Sequence, residues 1–242
     1  MRNHLNVIII GITIILSIFL LTNTYKNRHK GNDTIEVTGL GKQDFKSDLI
    51  VWSGSFSQRA EQLKDAYEAL KEDMSTIKEY LVSKGVSEEQ ILFSSVDINK
   101  EYDYYYDDND NRIRKFAGYR LGQSVEIESS EIEKIEGVSR EITELIDMGV
   151  EFYSNNPQYY YTQLSELKIK MIAAATEDAR LRAEKIAENA GASIGELKNA
   201  NMGIFQIIGQ NSNEDYTWGG AFNTSSKMKT ATITMKLEFG IK

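Results

Sequence analysis

One stretch concentrates side chains able to do chemistry: residues 101 to 120, EYDYYYDDNDNRIRKFAGYR. Asp and Asn at alternate positions suggest a calcium loop. An EF-hand counted from Asp107 places Asp107, Asn109 and Asn111 correctly, then puts Arg112 where glycine makes the sharp turn and Gly118 where a bidentate Glu closes the site. The pattern fails twice, and Asp and Asn are also residues that tight turns favour, so a hairpin tip is expected. The tyrosines Tyr102, Tyr104, Tyr105 and Tyr106 face Arg112, Arg114, Lys115 and Arg120 across that turn. Aromatic and basic residues so mixed also suit a single-stranded nucleic-acid platform. All 36 acidic residues follow position 30, whereas four of the 28 basic ones, Arg2, Lys26, Arg28 and Lys30, precede position 31. The body is therefore more acidic than the net charge of −8 indicates, and its field repels phosphate backbones. No nucleic-acid partner is expected. Tyr102, Tyr104, Tyr105, Tyr106, Arg112 and Arg114, together with Trp218, read as a protein contact surface, since Tyr, Trp and Arg are enriched at interfaces.

Other chemistry is sparse. There is no cysteine, and the two histidines, His4 and His29, both lie near the N-terminus. Thiol nucleophiles, thiolate metal sites and a histidine base in the body are thereby excluded. Carboxylate pairs such as Glu88/Glu89 and Glu177/Asp178 fall on helix faces or starts, where solvated surface is the ordinary reading. GLGKQDFKS lacks the spacing of a phosphate loop, and Gly39 and Gly41 do not open a dinucleotide fingerprint. No S-x-x-K is followed by the motifs that accompany a Ser-Lys dyad. No catalytic residue, metal site or cofactor is assigned, and the chain is not expected to be an enzyme.

The elements that position these residues follow from periodicity. Val7 to Leu21 is an uncharged run flanked by Arg2 and by Lys26, Arg28 and Lys30. Extended over residues 5–25 it would span roughly 31 Å as a helix, against a hydrocarbon core of about 30 Å. Residues 1–30 therefore read as an uncleaved anchor; a cleaved signal and a buried helix are the alternatives, although no A-x-A-like cleavage site follows. Residues 34–42 and 47–57 alternate as strands and suit a hairpin joined by 42–46. Leu63, Tyr67, Leu70, Met74, Ile77 and Leu81 predict an amphipathic helix stopped at Gly85. Strands are expected at 91–106 and 113–128, a helix at 131–148, and an extended piece around Pro157 held to a sheet edge. A long helix over 163–190 ends at Gly191, and a last strand alternates Ala231, Ile233, Met235, Leu237, Phe239 and Ile241. The order ββαββαβαββ predicts an α+β fold, one domain over 31–242, with a largely antiparallel sheet and its helices on one face.

Three blocks, VTGLGKQDFKSDLIVWSGSFSQRAEQLKDAYEAL, VSEEQILFSSVDINKEYDYYYDDNDNRIRKFAGYR and AATEDARLRAEKIAENAGASIG, together resemble the SIMPL-domain proteins of the bacterial envelope. The third is the most specific, with Ala175, Asp178, Ala179, Arg180, Arg182, Ala183, Glu184, Ala187, Ala190 and Gly191. Ser47-Asp48 stands where the family commonly has Pro-Asp, and the N-terminus looks more like an anchor than an export signal. The resemblance implies an α+β envelope protein with no catalytic set, associated with oxidative-stress tolerance and with ring-like or channel-like oligomers. It implies a body on the periplasmic or extracytoplasmic side of the inner or cytoplasmic membrane, or secreted if the segment is cleaved. The expected role is a self-assembling structural or protective module, with an envelope partner of unknown kind; the alternative is a module that binds a small molecule, peptide or cation in a cleft between sheet and helices.

Overall fold

The computed structural model describes residues 11–22, 33–106, 110–214, 217 and 219–242. A helix α1 occupies residues 11–22. Then follow β1 (Thr34–Lys46), β2 (Leu49–Ala60), α2 (Leu63–Ser83), β3 (Ile91–Phe93), β4 (Asp97–Tyr106), β5 (Arg112–Ser129) and α3 (Ile132–Glu141). The chain continues through β6 (Phe152–Ser154), β7 (Gln158–Tyr160), α4 (Leu164–Asn189), β8 (Ile194–Met202), β9 (Gln206–Gly209) and β10 (Met228–Ile241). The fold is mixed α+β, and every strand pair is antiparallel.

The strands form two sheets, not the single one that periodicity suggests, and β1 does not turn back on β2. β1 runs on to Lys46 and pairs along its whole length with β10, from Thr34 opposite Gly240 to Lys46 opposite Met228. β2 pairs instead with β5, from Ile50 opposite Ser129 to Ala60 opposite Tyr119. Ser47-Asp48 lacks the Asn-Gly or Gly-X chemistry of a tight hairpin, and it carries the chain from one sheet to the other. The Ser47 amide donates to the Lys227 carbonyl at 2.9 Å and the Asp48 amide to the Tyr160 carbonyl at 3.0 Å. The Asp48 carboxylate accepts from both the amide and the hydroxyl of Thr162, each at 2.8 Å.

Each sheet has its own core. The first joins β5 and β2, with β3 and β4 on one side and β6 and β7 on the other. Trp52, Phe56, Leu70, Ile77, Leu81, Leu121, Ile127, Ile135 and Leu145 pack under α2 and α3. The extended piece around Pro157 is indeed the edge, split into β6 and β7 on β2. The expected 91–106 strand breaks into β3 and β4, both on β5. The expected 131–148 helix is α-helical only to Glu141, then 3₁₀ over Ile142–Ile146, which keeps Ile142 and Leu145 buried. The second sheet, β1–β10–β8 with β9 beside β10, packs against α4. Both long helices stop as predicted: Val86 donates to Leu81 and Ala192 to Ala187, the Schellman pattern, with Gly85 and Gly191 at positive φ.

Close approach decides the second half. Ala175, Ala179 and Ala183 are fully buried on α4, and β1 presents glycines to them. A Cβ on Gly39 would overlap the Ala175 carbonyl, and one on Gly41 would lie 2.5 Å from the Met171 carbonyl. Asp178 accepts a hydrogen bond from the Leu40 amide at 2.8 Å and is paired with Arg182 at 2.9 Å. The Leu40 amide and Arg182 hold the Asp178 carboxyl below its ordinary range, against the smaller opposing effect of burial.

Polar contacts join the halves. Lys46 reaches Glu133 at 2.7 Å, and Lys227 reaches Glu136 at 2.9 Å. Tyr159 donates its hydroxyl to Glu136 at 2.9 Å. Burial opposes the charge of Glu136, but Lys227 and Tyr159 outweigh it and keep the carboxyl below its usual range. Burial and the Glu136 charge push Tyr159 up to about 12. Farther along, Lys229 is buried and donates to the Asn223 carbonyl at 2.5 Å. Glu214 accepts from the Gly209 amide at 3.0 Å and from the Asn223 side chain, so the loop before β10 is tied at both ends. Burial pushes Lys229 down to about 8 from 10.5.

Two outcomes follow. Gly39→Ala should destabilise the fold by about 1–3 kcal/mol, the usual cost of overpacking, whereas Gly137→Ala, on α3 with nothing within 4 Å, should stabilise it by about 0.4–1 kcal/mol; urea midpoints of opposite sign are the check. Between pH 8 and 10.5 the unfolded chain holds a proton on Lys229 that the folded chain has lost, so stability rises with pH across this window. Relative to Lys229→Met, the parent protein should gain stability from pH 7.5 to 9.5, and parallel denaturation curves at the two pH values would contradict this.

Candidate functional site: the tyrosine-arginine arm

The candidate site arises from unequal strand lengths. β2 has 12 residues and β5 has 18, and their pairing ends where Ala60 meets Tyr119. Beyond that point β5 is accompanied only by β4, down to Tyr106 opposite Arg112. The two strands project as a two-stranded ribbon, here called the arm. An isolated hairpin of this kind is marginal in water, so its root and its cross-strand pairs must hold it.

The root is a bulge. Glu101 sits opposite Gly118 but Tyr102 opposite Phe116, leaving Ala117 as the extra residue. Gly118 has φ +125°, and a Cβ there would stand 2.5 Å from the Ala60 carbonyl, so only glycine fits where β2 ends. The added residue keeps the aromatic side chains of β5 on one face across the bulge. On the helix-free face Glu101 pairs with Arg59 at 2.7 Å and with Arg120 at 2.5 Å. The Arg120 hydrogen bond, opposed by burial and reinforced by Arg59, holds the Glu101 carboxyl below its ordinary range.

From this root an aromatic column leads outward. Tyr119 packs against the first core. Phe116 meets it edge-on with ring centroids 5.2 Å apart, and Tyr102 meets Phe116 edge-on at 5.8 Å. Arg114 lies 4.2 Å from the centre of the Tyr102 ring, and Arg112 lies 4.1 Å from that of Tyr104. Such cation–π contacts are worth about 0.5–1 kcal/mol at exposed sites. The opposite face carries Asp103 across from Lys115 and Tyr105 across from Ile113. Tyr104, Tyr105 and Tyr106 are 54%, 49% and 68% exposed, so the body covers little of them.

The structure thus brings together six of the seven residues expected at a contact surface: Tyr102, Tyr104, Tyr105, Tyr106, Arg112 and Arg114. Trp218 lies outside the described residues, as do Asp107 and Asn109 of the turn. The clamp of Arg59, Glu101 and Arg120 and the column of Phe116 and Tyr119 escaped sequence reasoning. Gly118 inside a strand pattern was the available signal, since a glycine there marks a bulge or a close backbone approach.

Elsewhere, polar groups serve packing. Trp52 is fully buried, with its indole nitrogen donating to the Ser154 hydroxyl at 3.0 Å. Asp73 is buried on α2 and accepts from the Gln58 amide at 2.8 Å; burial raises its pKa. Asp73 lies in the first half and Lys229 in the second, so these two buried ionisable groups do not meet. Among the described residues no group of three or more His, Asp or Glu is arranged to hold a metal ion. A cavity of about 710 Å³ has a mainly apolar lining that includes Leu40, Ile204 and Ile233, with Lys42, Thr232 and Thr234 among its polar groups. Leu40 and Lys42 alternate with the glycines that meet α4, so this cavity opens on the helix-free face of the second sheet and not between sheet and helix.

No curated protein matches the chain. The SIMPL family model, described as a protein of unknown function (DUF541), matches residues 35–238, from within β1 to within β10 and across both halves and the arm. The chain belongs to the SIMPL family.

Proposed function

We propose that this protein is a non-enzymatic module of the cell envelope that assembles with copies of itself through the arm. The arm carries the reading: Tyr104, Tyr105 and Tyr106 are exposed on it, Arg112 stacks on Tyr104 and Arg114 on Tyr102, and it extends past the sheet that anchors it. Exposed aromatic and arginine side chains on a supported ribbon are the composition of a contact surface rather than of solvent-facing decoration. The non-enzymatic part of the proposal rests on the residue inventory, since cysteine is absent and both histidines precede position 31.

Attachment to a membrane belongs to the same proposal. Along α1 the side chains of Ile12, Ile14, Ile15, Leu16, Ile18, Phe19, Leu20 and Leu21 are all exposed, and a helix apolar on every side suits a lipid environment. No helix of the described residues is long and apolar enough to cross a membrane; the proposed span, 5–25, runs into residues outside them. The body would then stand on the periplasmic or extracytoplasmic side, where a protective or structural assembly acts. The helix-free cavity favours a second reading, a site for a ligand whose apolar body meets Leu40, Ile204 and Ile233 while the Lys42 ammonium and the threonines meet an anionic or polar group. A ligand held there would raise the melting temperature.

Light scattering on the full chain in detergent should show a defined oligomer. Arg112→Ala and Tyr104→Ala should each shift it toward monomer while changing stability by no more than about 1 kcal/mol, the value of one exposed cation–π pair. A monomer at high protein concentration would overturn the proposal.

A further inference from the structure

The arm has two free edges, and they differ in charge. Among the described residues β4 pairs with β5 alone, leaving the outer edge of Asp97–Tyr106 open, and β5 between residues 112 and 118 has no strand on its other side. Neither stretch contains proline; Arg59 donates to the Ala117 carbonyl and Gly118 packs on Ala60, but β4 and β5 over 112–116 each offer backbone donors and acceptors that another strand can join. β4 carries Asp97, Glu101 and Asp103 against the single base Lys100, whereas β5 over 112–118 carries Arg112, Arg114 and Lys115 and no acid.

Side chains stand perpendicular to a sheet, so a strand laid on the open edge of β4 meets the same side chains that β5 meets from within. The internal ladder shows which neighbour fits: Tyr106 faces Arg112, Tyr104 faces Arg114, Asp103 faces Lys115 and Tyr102 faces Phe116. Resting on the self-assembly proposed above, we infer that the occupant is a second copy, with the 112–116 edge of one arm laid antiparallel on the β4 edge of the next. Asp103 would then face Lys115 of the next copy, repeating the internal pair. Pairing two β4 edges would set acids beside acids, and pairing two β5 edges would set bases beside bases; like charges directly opposite destabilise a sheet. The contact is therefore heterologous, each copy offering a different edge to its two neighbours, and such contacts either close into rings or run on as filaments.

Exchanging one pair of charges tests this. In Asp103→Lys/Lys115→Asp the ion pair is reversed but kept, both within a chain and between identical copies. Mixed with the parent, the same contact becomes Asp against Asp or Lys against Lys. Full-length chains with two different affinity tags, mixed in detergent after dissociation, should each assemble alone, while recovery of one tag through the other falls several-fold below the parent-parent control. Undiminished co-assembly would overturn edge pairing and leave self-assembly standing. Loss of assembly by the exchanged variant alone would also contradict it, since both pairs survive the exchange. A monomeric parent would overturn both readings.

Discussion

Pairing of β2 with β5, in place of a hairpin with β1, governs the rest of the molecule. It obliges the chain to leave one sheet at Lys46 and enter another at Leu49, and so divides the apolar residues into two cores. The same pairing creates the arm, because β2 ends while β5 continues with only β4 beside it. Gly118 marks the boundary: packed against the Ala60 carbonyl, it permits the bulge that leads the aromatic column out of the core. The exposed surface is thus anchored by buried residues, and Tyr119 is the side chain that belongs to both.

The residues that carry the likeness to the SIMPL family have a structural explanation. Ala175, Ala179 and Ala183 let α4 descend onto Gly39 and Gly41, and Asp178, held by Arg182, satisfies a backbone amide of β1. Glu177 beside Asp178 looks like a carboxylate pair, yet Asp178 is engaged in joining helix to strand. The block therefore specifies how a helix covers an edge strand. The surfaces proposed to meet other molecules lie elsewhere, on the arm and on the helix-free face of the second sheet.

Much of this architecture is legible in the sequence, because burial imposes a period. α2, α4, their glycine stops, the edge character of the Pro157 segment and the last strand all follow from spacing and local chemistry. Partner choice does not, since a strand alternating Ile35, Val37 and Gly39 would satisfy its buried face against β2 as well as against β10. What decides the matter is non-local: the thirteen-residue register of β1 with β10 and the contacts of Ser47 and Asp48 with residues far along the chain. The tyrosines and arginines of the arm stand out by composition, whereas Arg59 of the clamp does not, because only the fold brings it to Glu101.

The account rests most heavily on the arm being the place where copies meet. Hydrogen exchange of the β4 amides, Asp97 to Tyr106, compared between assembled and monomeric protein, addresses that directly. The outward-facing half of these amides should exchange rapidly in the monomer and slow by orders of magnitude on assembly. Rapid exchange along β4 in a fully assembled sample would contradict the account.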